Sequence, residues 1–455
     1  MIFFRRTYIA LFLSLAAQLS AQGWPNDSAL NAALQSRVRT PPGIGIVVAT
    51  LEKGKSPRIF SAGGSGSARP LDGNTVFEIG SITKTFTSAL LADMVERGEV
   101  KLDDPVSKFL PATVHVPSRG GKQITLLDLA TQSSGLPRLP NNMSPANVLN
   151  PYADYSVQQM YDFLSHYELT RDIGSQFEYS NLGVGLLGHA LALRAGKTYE
   201  ALVTERVLEP LGMHDTRITL TPEMQEHLAI GHAANGTVQP TWDLPTLAGA
   251  GALRSTASDM AKFLAANLDS TTGRVARALA VAHVPQRGAG TDQMKIGLVW
   301  LTLNQFGAPV VWHNGGTGGY HSFIGFDPAT GRGVVVLANI STNIDDIGLH
   351  MVDDRFPLTV MKEHKEVAIN PAILDAYVGV YELAPNFQVA VTREGNSLFA
   401  QATAQPKFQL YPESDIEFFL KVVDASFIFV KGASGTVDQI ILHQGGASIP
   451  GKRVK

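Results

Sequence analysis

Phe77-Glu78-Ile79-Gly80-Ser81-Ile82-Thr83-Lys84-Thr85-Phe86-Thr87-Ser88 places a serine and a lysine three residues apart where a helix begins. At that spacing both side chains lie on one face. Upstream, Thr75-Val76-Phe77 reads as a short strand closed by Gly80. Downstream, Phe86, Leu90, Leu91, Met94 and Val95 recur at helical spacing until Gly98. A serine near a helix N-terminus commonly serves as its cap. Position 84 speaks for chemistry instead. A capping box would carry Glu or Gln there, whereas this chain carries a cation facing the positive end of the helix dipole, unfavourable by about 0.3–1 kcal/mol when exposed. An amine of lowered pKa can activate a serine hydroxyl, which is otherwise a weak nucleophile. Because S-x-x-K is short enough to arise by chance, this stretch alone leaves cap and catalyst both open.

Working outward, 455 residues with 44% hydrophobic and 17% charged can bury a large core and build two or three domains. A net charge of -3 without a Lys/Arg run gives no basis for a nucleic-acid partner, so small molecules or peptides are the expected ligands. Arg5 and Arg6 precede an apolar run from Tyr8 to Leu19 and the small residues Ser20 and Ala21, which predicts an export signal over 1–21 and a periplasmic or secreted protein. The run is too short to span a bilayer, and no later one reaches about 18 apolar residues, so no integral membrane segment is expected after cleavage. Cysteine is absent, which excludes disulfides, thiolate metal sites and a cysteine nucleophile. Twelve histidines without H-x-x-x-H or H-E-x-x-H spacing predict no metal site and no cofactor.

Gly43 to Leu51 reads as a buried strand with Arg58 to Ala62 as its antiparallel partner. From about 105 to 285 helical patterns dominate: Leu126 to Gln132, Val157 to Tyr167, Val184 to Arg194, Tyr199 to Leu208 and Ala257 to Ala266. Strand signals return at Ile296 to Leu303, Val310 to Trp312, Gly319 to Phe326 and Gly333 to Ala338, followed by a helix between Asp345 and Glu363. The expected fold is α/β (α+β): one antiparallel sheet built from both ends of the domain and flanked by helices, with an inserted all-helical lobe. The cleft between sheet and lobe is the default site. Beyond Asn370, short turn-separated strands at regular spacing predict a small C-terminal antiparallel β-barrel or sandwich. The expected division is 1–21 signal, 22–365 catalytic domain and 366–455 C-terminal domain, with no internal repeat, and the oligomeric state is left open.

Two more stretches carry polar groups in suggestive places. In Phe177-Glu178-Tyr179-Ser180-Asn181-Leu182-Gly183, a tyrosine and an asparagine two apart sit just before a helix, which Asn181 could equally cap. In Val310-Val311-Trp312-His313-Asn314-Gly315-Gly316-Thr317-Gly318-Gly319-Tyr320, an apolar strand runs into glycines that let a ligand lie close to backbone N–H donors. Taken in order, Ser81-x-x-Lys84, Tyr179-Ser180-Asn181 and His313-Asn314-Gly315 resemble the S-x-x-K, Y-x-N and K-T-G (or His-variant) motifs of the penicillin-recognising serine hydrolases. Within them the chain looks like the branch of class C β-lactamases and serine DD-peptidases. The resemblance runs over about 35–365 and includes Ser133-Ser134-Gly135-Leu136-Pro137 and Pro210-Leu211-Gly212-Met213. The C-terminal strands resemble the lipocalin-like domain appended to some members.

The resemblance implies Ser81 as acylated nucleophile and Lys84 and Tyr179 as carriers of its proton, in an order the sequence leaves open. It implies an oxyanion hole from the N–H groups of Ser81 and Gly316, and Asn181, His313, Asn314 and Gly315 as substrate-binding. The implied reaction opens a β-lactam amide through an acyl-enzyme. A D-amino-acid peptide or a small ester is the alternative donor, and a non-turnover penicillin-binding sensor is a further one. His313 departs from the usual lysine. An unperturbed histidine titrates near pH 6.5, so carboxylate binding is expected to improve as the pH falls toward about 6. The glutamine often found shortly after Gly135-Leu136-Pro137 is also missing; Arg138 and Leu139 stand there, and nothing in the sequence places Arg138 in the cleft.

Overall fold

The computed structural model describes residues 24–454 except 39–41, 363, 386, 404, 422–424, 433–434 and 445–446. The export signal expected over 1–21 lies outside the described residues. A helix α1 (Asp27–Arg37) leads into the hairpin of β1 (Gly45–Glu52) and β2 (Arg58–Gly63). The remaining strands of the main sheet come more than 200 residues later: β3 (Arg287–Gly288), β4 (Met294–Ile296), β5 (Leu301–Leu303), β6 (Val310–Gly316), β7 (His321–Asp327) and β8 (Arg332–Ala338). Their order is β2-β1-β8-β7-β6-β5-β4-β3, all antiparallel, so β1 against β8 joins the two ends of the domain. Between them lie α2 (Thr83–Glu96), α3 (Asn181–Ala195) and α4 (Ala257–Leu268), with further helices at Leu126–Ala130, Val157–His166 and Arg274–Ala282; α5 (Asp345–Val352) follows the sheet.

The sheet is buried on both faces, and strand alternation sorts its residues between two cores. Val47, Ala49 and Leu51 of β1 with Val335 and Leu337 of β8 face α2, α4 and the helical lobe. Ile46, Val48, Val334, Val336 and Ala338 face α1 and α5 on the other side. The same alternation decides which side chains of β6 reach the cleft. Val311 belongs to the first core and Val310 to the second, and Trp312 packs on the second. His313 and Gly315 therefore face the lobe, and Asn314 faces α5.

Two expectations are corrected. Ile296 to Leu303 is not one strand but the hairpin of β4 and β5. Gly297 sits where a Cβ would lie 2.3 Å from the Ala282 carbonyl oxygen, Val299 adopts φ 72°, and the amides of Leu298 and Val299 donate to Ala282 and Ala130 at 2.8 Å. These bonds anchor the turn to helix ends and stop it from extending. The last helix ends at Val352 rather than continuing toward Glu363: the Asp353 carboxylate accepts from the Arg355 backbone and guanidinium, and Pro357 disfavours helical backbone at Phe356.

A short ladder of Val76–Glu78 with Arg254–Thr256 braces the turn before Ser81. At one end of it the paired residues Glu78 and Arg254 form a buried ion pair, with Arg254 Nη2 3.3 Å from Glu78 Oε1; the same nitrogen also donates to the Trp242 carbonyl at 2.7 Å. Burial raises the Glu78 pKa above the usual carboxylate value, against the pull of Arg254. Arg254→Ala is expected to destabilise by about 3–5 kcal/mol, because it strands a buried carboxylate. Urea unfolding checks this, and a loss below about 1 kcal/mol would contradict it.

The C-terminal eight strands, from β9 (Gly379–Ala384) to β16 (Ala447–Arg453), close into an antiparallel barrel in sequence order, β16 returning to β9. Tyr377, Tyr381, Phe418 and Phe429 fill its interior, with Tyr377 and Phe429 stacked at 4.3 Å. Among the described residues no helix is long and apolar enough to cross a membrane.

Candidate active site

Ser81 lies in a single 3₁₀ turn, Gly80–Ile82, that feeds directly into α2. Neither turn nor helix receives a side-chain cap, so Ser81 is not spent on capping. The turn is tight because Gly80 has φ +47° and its missing side chain would lie 2.8 Å from the Gly316 nitrogen. The turn that carries Ser81 thus packs directly against Gly316, where the end of β6 passes the start of α2.

Lys84 is fully buried, and its Nζ lies 2.8 Å from Ser81 Oγ, 2.8 Å from Asn181 Oδ1 and 2.6 Å from the Ala250 carbonyl oxygen. Burial, followed by the nearby Arg138 charge, holds its pKa well below the ordinary lysine value. Asn181 Oδ1 and the carbonyl can only accept, so a neutral amine that donates to both points its lone pair at the Ser81 hydroxyl. Tyr179 faces the same hydroxyl. Burial pushes its pKa up to about 12, with Ser81 and Arg138 pulling the other way, so the phenol is protonated at neutral pH.

Ser180, not Asn181, caps α3: its Oγ accepts the Gly183 N–H at 2.8 Å. Asn181 is left to turn into the cleft, where Nδ2 donates to the Tyr152 hydroxyl at 3.1 Å and Oδ1 meets Lys84. The Tyr179 loop is clamped from behind by Gln132, held at φ 55°. Its carbonyl accepts the Glu178 amide at 2.7 Å and its Oε1 the Ser180 amide at 2.7 Å, one on each side of Tyr179.

His313 is 2% exposed, with its ring 6.3 Å from that of Tyr179. Its Nδ1–H donates to the Asn314 carbonyl at 2.6 Å, and burial, reinforced by Lys84, lowers its pKa to about 3. The expected gain of carboxylate binding toward pH 6 through His313 is therefore corrected: the ring stays neutral across that range. Asn314 is corrected too. Its side chain is on the far face of the sheet, where Nδ2 donates to Asp345 Oδ2 at 2.6 Å, and Asp345 also contacts His321 at 3.0 Å. Gly315 faces the site, but with no side chain: a Cβ there would stand 2.1 Å from the Ile79 oxygen and 2.9 Å from the Ser81 nitrogen.

Neutral burial of His313 has a consequence for stability, shared by His283, whose pKa burial also lowers to about 3. Below about pH 6.5 the unfolded chain takes up a proton at each histidine that the folded chain refuses. Stability is then full above about 6.5 and falls as the pH drops toward 3. At pH 5 the loss relative to pH 7.5 is expected to be roughly 2 kcal/mol per histidine in urea unfolding. His283→Gln should remove about half of the histidine share; an unchanged difference between the two pH values would contradict the assignment.

A family model described as Beta-lactamase matches residues 33–350. The chain belongs to the β-lactamase family. Residues 363–452 match a second family, described only as a domain of unknown function (DUF3471), a match that does not single out the lipocalin likeness expected for these strands. Relatives include the D-alanyl-D-alanine-carboxypeptidase/endopeptidase AmpH of Escherichia coli, 30% identical over 299 residues (60% of this chain, 76% of that one). A β-lactamase of Pseudomonas fluorescens is also 30% identical, over 333 residues (65% and 88%). Among solved structures, the β-lactamase/D-alanine carboxypeptidase of Yersinia pestis has a TM-score of 0.61 at 24% identity, covering 73% of this chain and 95% of its own. The class C β-lactamase of Rhodobacter sphaeroides also scores 0.61 at 24%, covering 72% and 99%. These structures share the fold, and the family places the chain among serine hydrolases.

Within this β-lactamase-family cleft the structure gathers Ser81, Lys84, Tyr179, Asn181, His313 and the Gly316 amide. It adds residues that sequence reading missed. Tyr152, which accepts from Asn181, packs against Trp242 with ring centroids 5.4 Å apart. Both come from irregular loops with no periodicity to mark them. Arg138 does reach the cleft, its guanidinium carbon 5.0 Å from the centre of the Tyr179 ring.

Proposed function

We propose that this protein is an exported serine hydrolase that opens a β-lactam amide through an acyl-enzyme on Ser81 and returns the acyl group to water. The observation that carries the reading is Lys84: a buried amine 2.8 Å from Ser81 Oγ whose two other partners are obligate acceptors, so that once it is neutral its lone pair is left for the Ser81 hydroxyl. Lys84 takes the Ser81 proton as Oγ attacks the carbonyl carbon. The N–H groups of Ser81 and Gly316 hold the oxyanion, a pair of fixed donors each contributing about 2.7–4 kcal/mol in comparable sites. As the C–N bond breaks, the leaving nitrogen takes a proton delivered through Lys84 and the Tyr179 phenol, and Asn181 Nδ2 is placed to engage the acyl side of the donor. Water then attacks the ester with the same groups as proton carriers. Residues 22–365 would form the catalytic domain and 366–455 an appended barrel.

A second donor, a small ester that carries no carboxylate, is favoured by one observation. His313 is neutral where a permanent cation would strengthen hold on a β-lactam carboxylate. Turnover of nitrocefin, a D-Ala-D-Ala peptide and a p-nitrophenyl ester by purified protein separates the readings. Negligible nitrocefin turnover beside rapid peptide or ester cleavage would overturn the β-lactam reading. A persistent penicillin adduct on the Ser81 peptide would point to a sensor.

A further inference from the structure

Arg138 is a charged cleft residue that the proposed chemistry leaves without a task. Its carbonyl accepts the amides of Asn181 at 3.0 Å and Leu182 at 3.3 Å, which fixes its backbone against the first turn of α3, on the lobe side of the cleft. Its guanidinium lies over the Tyr179 ring at 5.0 Å, and Lys84 Nζ lies 4.9 Å from the same ring centre. The residue is exposed. Other arginines of this region are paired, Arg171 with Glu178 and Arg119 with Asp172, whereas no acidic side chain among the described residues pairs with Arg138.

A guanidinium held in position by a ring, open to solvent on its other side and lacking a counter-ion is a carboxylate receptor waiting for its anion, since its fork geometry accepts two oxygens at once. Its place is not that of His313. His313 enters from β6, on the sheet side, and is neutral, whereas Arg138 enters beside Asn181.

We propose that Arg138 selects acyl donors carrying a carboxylate on the acyl side of the scissile bond, the side that Asn181 holds. This deepens the function proposed above and rests on it.

The test is a pair of penicillins differing by one carboxylate in the acyl side chain, benzylpenicillin and its α-carboxy derivative. Acylation rate constants are measured by quenched mass spectrometry of the Ser81 peptide for the wild-type, Arg138→Gln and Arg138→Lys proteins. The readout is the ratio of the two rate constants, which cancels any general effect on Lys84 or Tyr179. The wild type should favour the carboxylated donor roughly tenfold, a preference that weakens with added salt. Arg138→Gln should bring the ratio to about one and Arg138→Lys should restore part of it. Equal ratios in wild type and Arg138→Gln would overturn the proposal while leaving Ser81 acylation intact. If neither penicillin acylates Ser81, the β-lactam reading fails, and the same ratio is read on p-nitrophenyl hemiglutarate against p-nitrophenyl butyrate. If neither ester reacts, both readings are overturned.

Discussion

Ser81→Ala is expected to abolish acylation and to lower turnover by a factor on the order of 10⁶, the loss seen when a serine nucleophile that works as a unit with its base is removed. The expectation follows from local geometry. Ser81 Oγ is half-buried in a 3₁₀ turn, makes no capping bond and faces both Lys84 Nζ and the Tyr179 hydroxyl. Removing it takes away no packing of consequence, since α2 is buried along Thr83 to Met94 without it. The variant should therefore fold with a near-native melting temperature while giving no penicillin adduct and no hydrolysis of nitrocefin, D-Ala-D-Ala peptide or ester. Wild-type-like turnover in Ser81→Ala would place the nucleophile elsewhere and end the mechanism proposed here.

Gly315→Ala should be the most damaging single methyl group in the domain's chemistry. The added carbon would sit 2.1 Å from the Ile79 oxygen, 2.5 Å from Ser322 Oγ and 2.9 Å from the Ser81 nitrogen, and two of those atoms are backbone that cannot rotate away. Either β6 or the turn carrying Ser81 must move by about 1 Å, enough to cost about 100-fold in rate where reacting groups are pre-aligned. Overpacking should add about 1–3 kcal/mol of destabilisation. Gly288→Ala is the matched control, because a Cβ at that position of β3 meets nothing within 4 Å. Acylation rate and urea unfolding measured side by side check both effects; a Gly315→Ala protein that acylates like the Gly288→Ala control would show that the turn and strand have slack the packing does not suggest.

The fold was largely legible along the chain. Continuous apolar runs such as Gly45 to Leu51 and Arg332 to Ala338 identify strands buried on both faces, and segments between Leu126 and Leu268 carry the 3.6-residue pattern of the lobe's helices. Where reading failed, a tertiary contact had replaced a local preference. Leu298 and Val299 look like strand residues but give their amides to Ala282 and Ala130. α1 and the helix Arg274–Ala282 went unread, the first because its buried positions, Leu30, Ala33 and Leu34, are few among polar neighbours. Ala447 to Arg453 contains Pro450, which argues against a strand by composition, yet it closes the barrel by pairing with the strand Val437–Gln444 and with β9.

The candidate site divides along the same line. Spacing alone brought Ser81 and Lys84 together, because three residues span one turn, and the order of the three motifs told which family supplies the remaining groups. Alternation along β6 also lay in the sequence: with Val311 and His313 on one face, Asn314 had to be on the other, and the structure finds it bonded to Asp345. What the chain could not reveal is how far each group is withdrawn from water. His313 and Lys84 differ from ordinary histidine and lysine first through burial, and then through a neighbouring charge, among residues scattered over more than 200 positions. The placement of Arg138 over Tyr179 likewise depends on a loop packed against α3. Residue types and their order therefore determined the chemistry available, while tertiary packing, by setting desolvation and neighbouring charge, decided which of those groups are neutral, which are charged and which face the substrate.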